Sequence, residues 1–114
     1  MGTLYKIMSS QEWKNAVRRG VYEGSEVDRR DGFIHLSAAH QARGTAQRHF
    51  AHQQDLVLVA VNAVDLGESL KWEASRGGAL FPHVYGTLPL TAVTGAVPLP
   101  LVNGTHEFPE SIPQ

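Results

Sequence analysis

The sequence predicts an α+β fold, and three observations lead to it. Helical spacing is confined to the first half of the 114 residues, strand-like runs crowd the second half, and Leu56 to Val61 is continuously apolar. Helices early and strands late argue for an α+β arrangement over the regular alternation of a doubly wound sheet.

Each element has its own signal. Residues 4–8 read as a first short strand. Ser9 can cap a helix while Glu12, three residues on, returns a bond to the cap's own amide. Trp13, Ala16 and Val17 then fall on one helical face, and Gly20 stops the helix. Residues 21–32 read as a polar loop hinged at Gly24 and Gly32, and residues 33–36 as a strand. A second helix is expected from about Ala38 to Gln53, weakened by Gly44, with Ala42, Ala46 and Phe50 facing the core. "DLVLVAV" is the clearest strand, and its unbroken apolar run predicts cover on both faces. "LKWEA" is a short strand and "SRGG" a turn. In "LFPHVYG" the proline argues for an edge strand or an irregular stretch. A single domain over residues 1–104 and a Pro-containing tail over 105–114 are expected.

Composition narrows the function. With 42% apolar and 18% charged residues and a net charge of −1, the chain has a globular composition and no global pull toward nucleic acid or membrane. The charge is uneven, +3 over residues 1–54 and −4 over residues 55–114. The absence of cysteine removes disulfides, zinc–thiolate sites and thiol nucleophiles. The N-terminal residues lack the apolar core of a signal peptide, and the longest apolar run is too short to cross a bilayer. A cytoplasmic location is expected. Neither GxGxxG nor GxxxxGK[ST] occurs.

The candidate site residues come from strand alternation. On an extended segment Phe33, His35 and Ser37 share one side, and Ile34 and Leu36 the other. His35 and Ser37 can hold ribose hydroxyls or a phosphate. From the residues alone, the more ordinary roles for this pair are a sheet histidine bonded to a neighbouring carbonyl and the N-cap of the next helix. Phe81, His83 and Tyr85 share a face in the same way, and Gly86 leaves room for a ligand. They can also be an aromatic edge that packs a loop. Glu73, with Lys71 beside it and Trp72 opposite, can stabilise an oxocarbenium-like centre, or be an exposed ion pair. His49 and His52 are spaced i, i+3 but have no acidic partner at ligand spacing, so no metal is expected.

The motifs "LYKI", "DGFIHLS", "DLVLVAV", "LKWE" and "FPHVYG" together resemble the family catalogued as domain of unknown function 952, over about residues 3–109. That resemblance implies an ADP-ribosyltransferase-like fold: a split, mostly antiparallel sheet with two main helices in the N-terminal half. The chain is more distantly similar to the RNA 2′-phosphotransferases, which use NAD. Their "HVHLS" strand, helix threonine and apolar strand match "FIHLS", Thr45 and "DLVLV" here. By that resemblance His35 and Ser37 line a nucleotide cleft, and Lys6 stands where those enzymes have a ribose-holding histidine. The arginines those enzymes carry before the apolar strand correspond to Ala51 and His52. The implied cofactor is NAD, with His35, Glu73, His83 and Tyr85 as catalytic candidates and Lys6, His35, Ser37, Tyr85 and Gly86 as cofactor contacts. In that reading His35 binds a ribose hydroxyl, Tyr85 stacks on nicotinamide, and Glu73 stabilises the cation. The partner expected is a small nucleotide ligand; nucleic acid is the less favoured partner, and no membrane is expected. A non-catalytic module for a nucleotide or sugar phosphate is the alternative, and an interaction protein without a pocket is a third.

Overall fold

The computed structural model describes residues 2–112, apart from the Arg76 side chain. It is a strand-rich α+β fold in which every strand pairing is antiparallel. The main sheet has the order β4-β1-β5-β9, from Ser37–Ala38, Thr3–Ser9, Leu56–Asn62 and Val93–Leu99. A second sheet has the order β3-β7-β6, from Ile34–His35, Leu80–Val84 and Leu70–Ala74. Two small ribbons complete it, β2 (Val21–Tyr22) with β8 (Leu88–Pro89) and β10 (Leu101–Val102) with β11 (Thr105–His106).

The apolar run at β5 behaves as its sequence predicts. Val57, Val59 and Val61 point into one core with Leu4 and Met8, and Leu56 and Leu58 point into another with Ile7 and Ala46. Helix α1 (Ser10–Arg19) starts with the expected reciprocal cap. The Glu12 amide donates to Ser9 Oγ at 3.0 Å, and the Ser9 amide donates to Glu12 Oε1 at 3.1 Å. It ends at Gly20, whose N–H reaches the Ala16 carbonyl. Ala16 is buried and Trp13 packs on the first core, but Val17 lies exposed, so the apolar stripe of α1 is narrower than expected.

Three other expectations change. The supposed loop 21–32 contains β2 and a helix, α2 (Glu26–Asp31), whose N-cap is Ser25 and whose Asp28 answers it in a capping box. Gly24, at φ +103°, passes so close to α2 that a Cβ there would sit 2.9 Å from the Asp28 Cβ. Pro82 does not mark an edge, because β7 is the middle strand of its sheet. The Pro82 carbonyl accepts from Leu36 N–H, so its missing donor faces the side where β3 has already ended. The tail boundary at 104 falls in the turn between β10 and β11, and Ile112 is buried in the second core.

Helix α3 (Ala39–His49) is shorter than the predicted 38–53; its Ala42 and Ala46 are both buried, and Ala46 packs in the second core with Phe50 against it. His52 lies past its end at φ +63°, so His49 and His52 do not share a helical face. Gly44 sits exposed in α3 with open space where a Cβ would go. Gly44→Ala is therefore expected to stabilise the protein by about 0.5–1 kcal/mol, seen as a raised Tm. Among the described residues, no helix is long and apolar enough to cross a membrane.

Candidate functional site

The second sheet buries one face and presents the other. Ile34 and Val84 pair across β3 and β7 and enter the first core, with Leu70 packed against it. Alternation then sends His35, His83 and Lys71, which lie in register, to the opposite face, with Glu73 and Phe81 beside them.

Phe33 is the floor of the cluster on that face. The His83 ring stacks on it at 4.1 Å between centroids, inclined 23°. The His35 and Tyr85 rings tilt against it at 4.7 and 5.3 Å, and the two imidazoles meet edge-on at 5.4 Å. Four of the predicted residues, His35, Glu73, His83 and Tyr85, thus converge on one partly open surface.

Glu73 is fixed from two sides. His83 Nδ1 lies 2.8 Å from Glu73 Oε1, and the Tyr85 hydroxyl donates to the same carboxylate at 2.8 and 3.1 Å. The bond from His83, then that from Tyr85, holds the Glu73 carboxyl below its ordinary value. The same bond holds the Tyr85 phenol above its own. An ionised carboxylate only accepts, so Nδ1 of His83 carries the hydrogen. The His83 ring is itself buried, with 5% of the residue exposed, so it meets Glu73 from beneath the open part of the cluster.

His35 is built differently. Its Nδ1 lies 2.6 Å from Asp28 Oδ1, and its amide donates to the same oxygen at 3.1 Å. Its Nε2 lies 3.1 Å from Asp31 Oδ2, on a half-exposed side chain. Asp28 is 2% exposed and also meets Lys6 Nζ at 2.9 Å. Burial opposes the charge on Asp28. The His35 bond, the Lys6 charge and the Ser25 amide outweigh it and hold the carboxyl well below the usual range.

Lys6 and Ser37 are not part of the exposed cluster. Lys6 points between the sheets, where its ammonium bonds Asp28 and the His35 carbonyl. Ser37 is buried, and its hydroxyl meets Thr45 on α3 at 2.8 Å. The chain crosses from one sheet to the other at Leu36, so His35 and Ser37 do not look onto the same space. Nor does Ser37 cap α3. Ala38 is the N-cap, and its amide donates to Gln41 Oε1. Gly86 follows Tyr85 at φ +126°, with open space where a Cβ would go. Sequence reasoning missed Asp28 and the Asp31 contact to His35. The pair Ser25 and Asp28, three apart, was the available signal for Asp28.

A hollow of about 190 Å³ lies elsewhere, between α3 and the β10–β11 hairpin. Arg43 there stands over the Phe108 ring and donates to the Ile112 carbonyl, contacts that tie down the C-terminal residues.

Residues 7–96 match the family described as protein of unknown function, DUF952. The chain belongs to that family. Its fold is also that of protein CC0527 from Caulobacter crescentus. The crystal structure of that protein is 52% identical, with a TM-score of 0.89 over 93% of this chain and 94% of that one. Its solution NMR structure gives 53% identity and a TM-score of 0.83 over 93% and 91%. No curated protein matches this DUF952 chain.

Proposed function

We propose that this DUF952 protein binds NAD on the exposed face of the β3-β7-β6 sheet and breaks the nicotinamide–ribose bond. The observation that carries this reading is the Glu73 carboxylate, ionised and fixed by His83 and Tyr85 beside an aromatic floor. Nicotinamide stacks on Tyr85, and a ribose hydroxyl takes the His35 Nε2 that now lies 3.1 Å from Asp31 Oδ2. As the C–N bond breaks, its electron pair goes to the pyridinium, and neutral nicotinamide leaves. Glu73 stabilises the positive charge left on the ribose carbon. Water or another acceptor closes that carbon and gives up a proton, for which His83, beneath Glu73, is the nearby base. The pair of antiparallel sheets joined at Leu36 is in keeping with a distant relation to ADP-ribosyltransferase-like folds.

Lys6 favours a second reading. It stands where the RNA 2′-phosphotransferases have a ribose-holding histidine, and its ammonium is consumed by Asp28. A module that binds a nucleotide or sugar phosphate without chemistry accommodates that change. Two measurements separate the readings. NAD at about 100 times its Kd should stabilise the native state by about 2.7 kcal/mol, a Tm shift on the order of 10 °C. Incubation with NAD should release free nicotinamide if the bond is broken. A Tm shift without release supports the binding module, and neither effect removes NAD from both readings.

A further inference from the structure

We infer that the protein self-associates through β6, two copies pairing antiparallel about Trp72 so that their three-stranded sheets join into one. β6 is the outer strand of its sheet, and among the described residues no strand pairs with its far side. Its backbone direction is fixed by its neighbours. The Ser69 carbonyl accepts from Tyr85 N–H, and Ser75 N–H donates to the Ala79 carbonyl. Residues of odd number therefore turn their polar backbone groups toward β7. Leu70, Trp72 and Ala74 turn theirs outward.

The other sheet edges are protected. β9 carries Gly95 and Pro98, and β3 and β4 are two residues long. β6 has neither proline nor glycine over its five residues. Its charges select one self-pairing. With Trp72 on the two-fold axis, Lys71 of each copy lies directly opposite Glu73 of the other, and Leu70 lies opposite Ala74. Registers centred on Lys71 or Glu73 keep the backbone bonds but set like charges face to face, which is destabilising. Registers centred on Leu70 or Ala74 leave part of the strand unpaired.

The other face of β6 supplies the apolar contact. Trp72 is 47% exposed and lies across from Pro82, and Leu80, 54% exposed, lies across from Ala74. In the joined sheet the two Trp72 rings become neighbours, a favourable cross-strand pair that covers this strip. The pairing also brings a second copy's Lys71 to the rim of the site, beside Glu73. The inference stands whether or not the site binds NAD.

Sedimentation of the full chain over a wide concentration range should show a dimer that grows with concentration. Lys71→Glu and Glu73→Lys should each sediment as monomers, because each sets like charges across the axis. An equal mixture of the two should dimerise again, since each variant then meets its opposite. An independent arm uses the lack of native cysteine. A hydrogen-bonded antiparallel pair holds its Cα atoms about 5.5 Å apart, within disulfide reach. Trp72→Cys should therefore give a covalent dimer on oxidation, and Val97→Cys on β9 should not. A wild-type chain that stays monomeric up to its solubility limit overturns the inference. So does Trp72→Cys cross-linking no better than Val97→Cys.

Discussion

Asp28→Asn is expected to cost about 3–5 kcal/mol of stability, as removing one partner of a buried ion pair does. Asp28 is buried to 2%, and its two oxygens receive Lys6, the Ser25 amide, the His35 amide and the His35 ring. Asparagine keeps one oxygen and turns an amino group toward these donors. It leaves the Lys6 ammonium buried without a neutralising charge, loosens the cap of α2 and releases the His35 ring. Chemical denaturation at neutral pH measures the loss. Lys6→Met in the Asp28→Asn background should recover part of it, because the uncompensated charge goes. The effect depends on pH in a defined direction. The folded Asp28 carboxyl titrates below its unfolded value of about 3.9. Its contribution is full above that unfolded value and is lost as pH falls through the folded one. The gap between wild type and Asp28→Asn should therefore narrow on acidification below about pH 4.

The same residue marks the limit of what the sequence discloses. β5 and the cap of α1 were legible because their causes are local: an unbroken apolar run, and Ser9 with Glu12 three residues on. The face shared by His83 and Tyr85, and that shared by Lys71 and Glu73, were legible too, because strand alternation places side chains without knowledge of the partner strand. The β6–β7 register that joins the two faces was not. α2 was not. Its six residues carry four acidic and basic charges besides Glu26 and Val27, and it gains its place by sending Asp28 into a core cation 22 positions earlier in the chain. Ser37 was misplaced for a related reason. Alternation relates His35 to Ser37 only while both stay in one sheet, and the chain changes sheets at Leu36 because β1 takes Ser37 as its partner. Pro82 misled because its missing donor counts only on the side where a neighbouring strand needs it.

Glu73→Gln should lower nicotinamide release on the order of 10²–10³-fold while leaving the fold intact, if the carboxylate stabilises the departing ribosyl cation. Glutamine keeps the shape and an oxygen for the Tyr85 hydroxyl, so the change removes charge and little else. The NAD-induced Tm shift decides what the loss means. If the shift survives and release does not, the charge acts in bond breaking. If both vanish together, Glu73 is a ligand contact and the chain is a binder. Tyr85→Phe sharpens the test, because phenylalanine still stacks but withdraws one of the two donors that hold Glu73 low. With that donor gone, Glu73 returns toward its ordinary value of about 4.3 and takes up a proton at a higher pH. The acid limb of the release profile should therefore move to higher pH in Tyr85→Phe. An acid limb that stays in place would mean that another group governs the low-pH loss, since neither a packing role for the phenol nor simple weakening of NAD binding moves it in that direction.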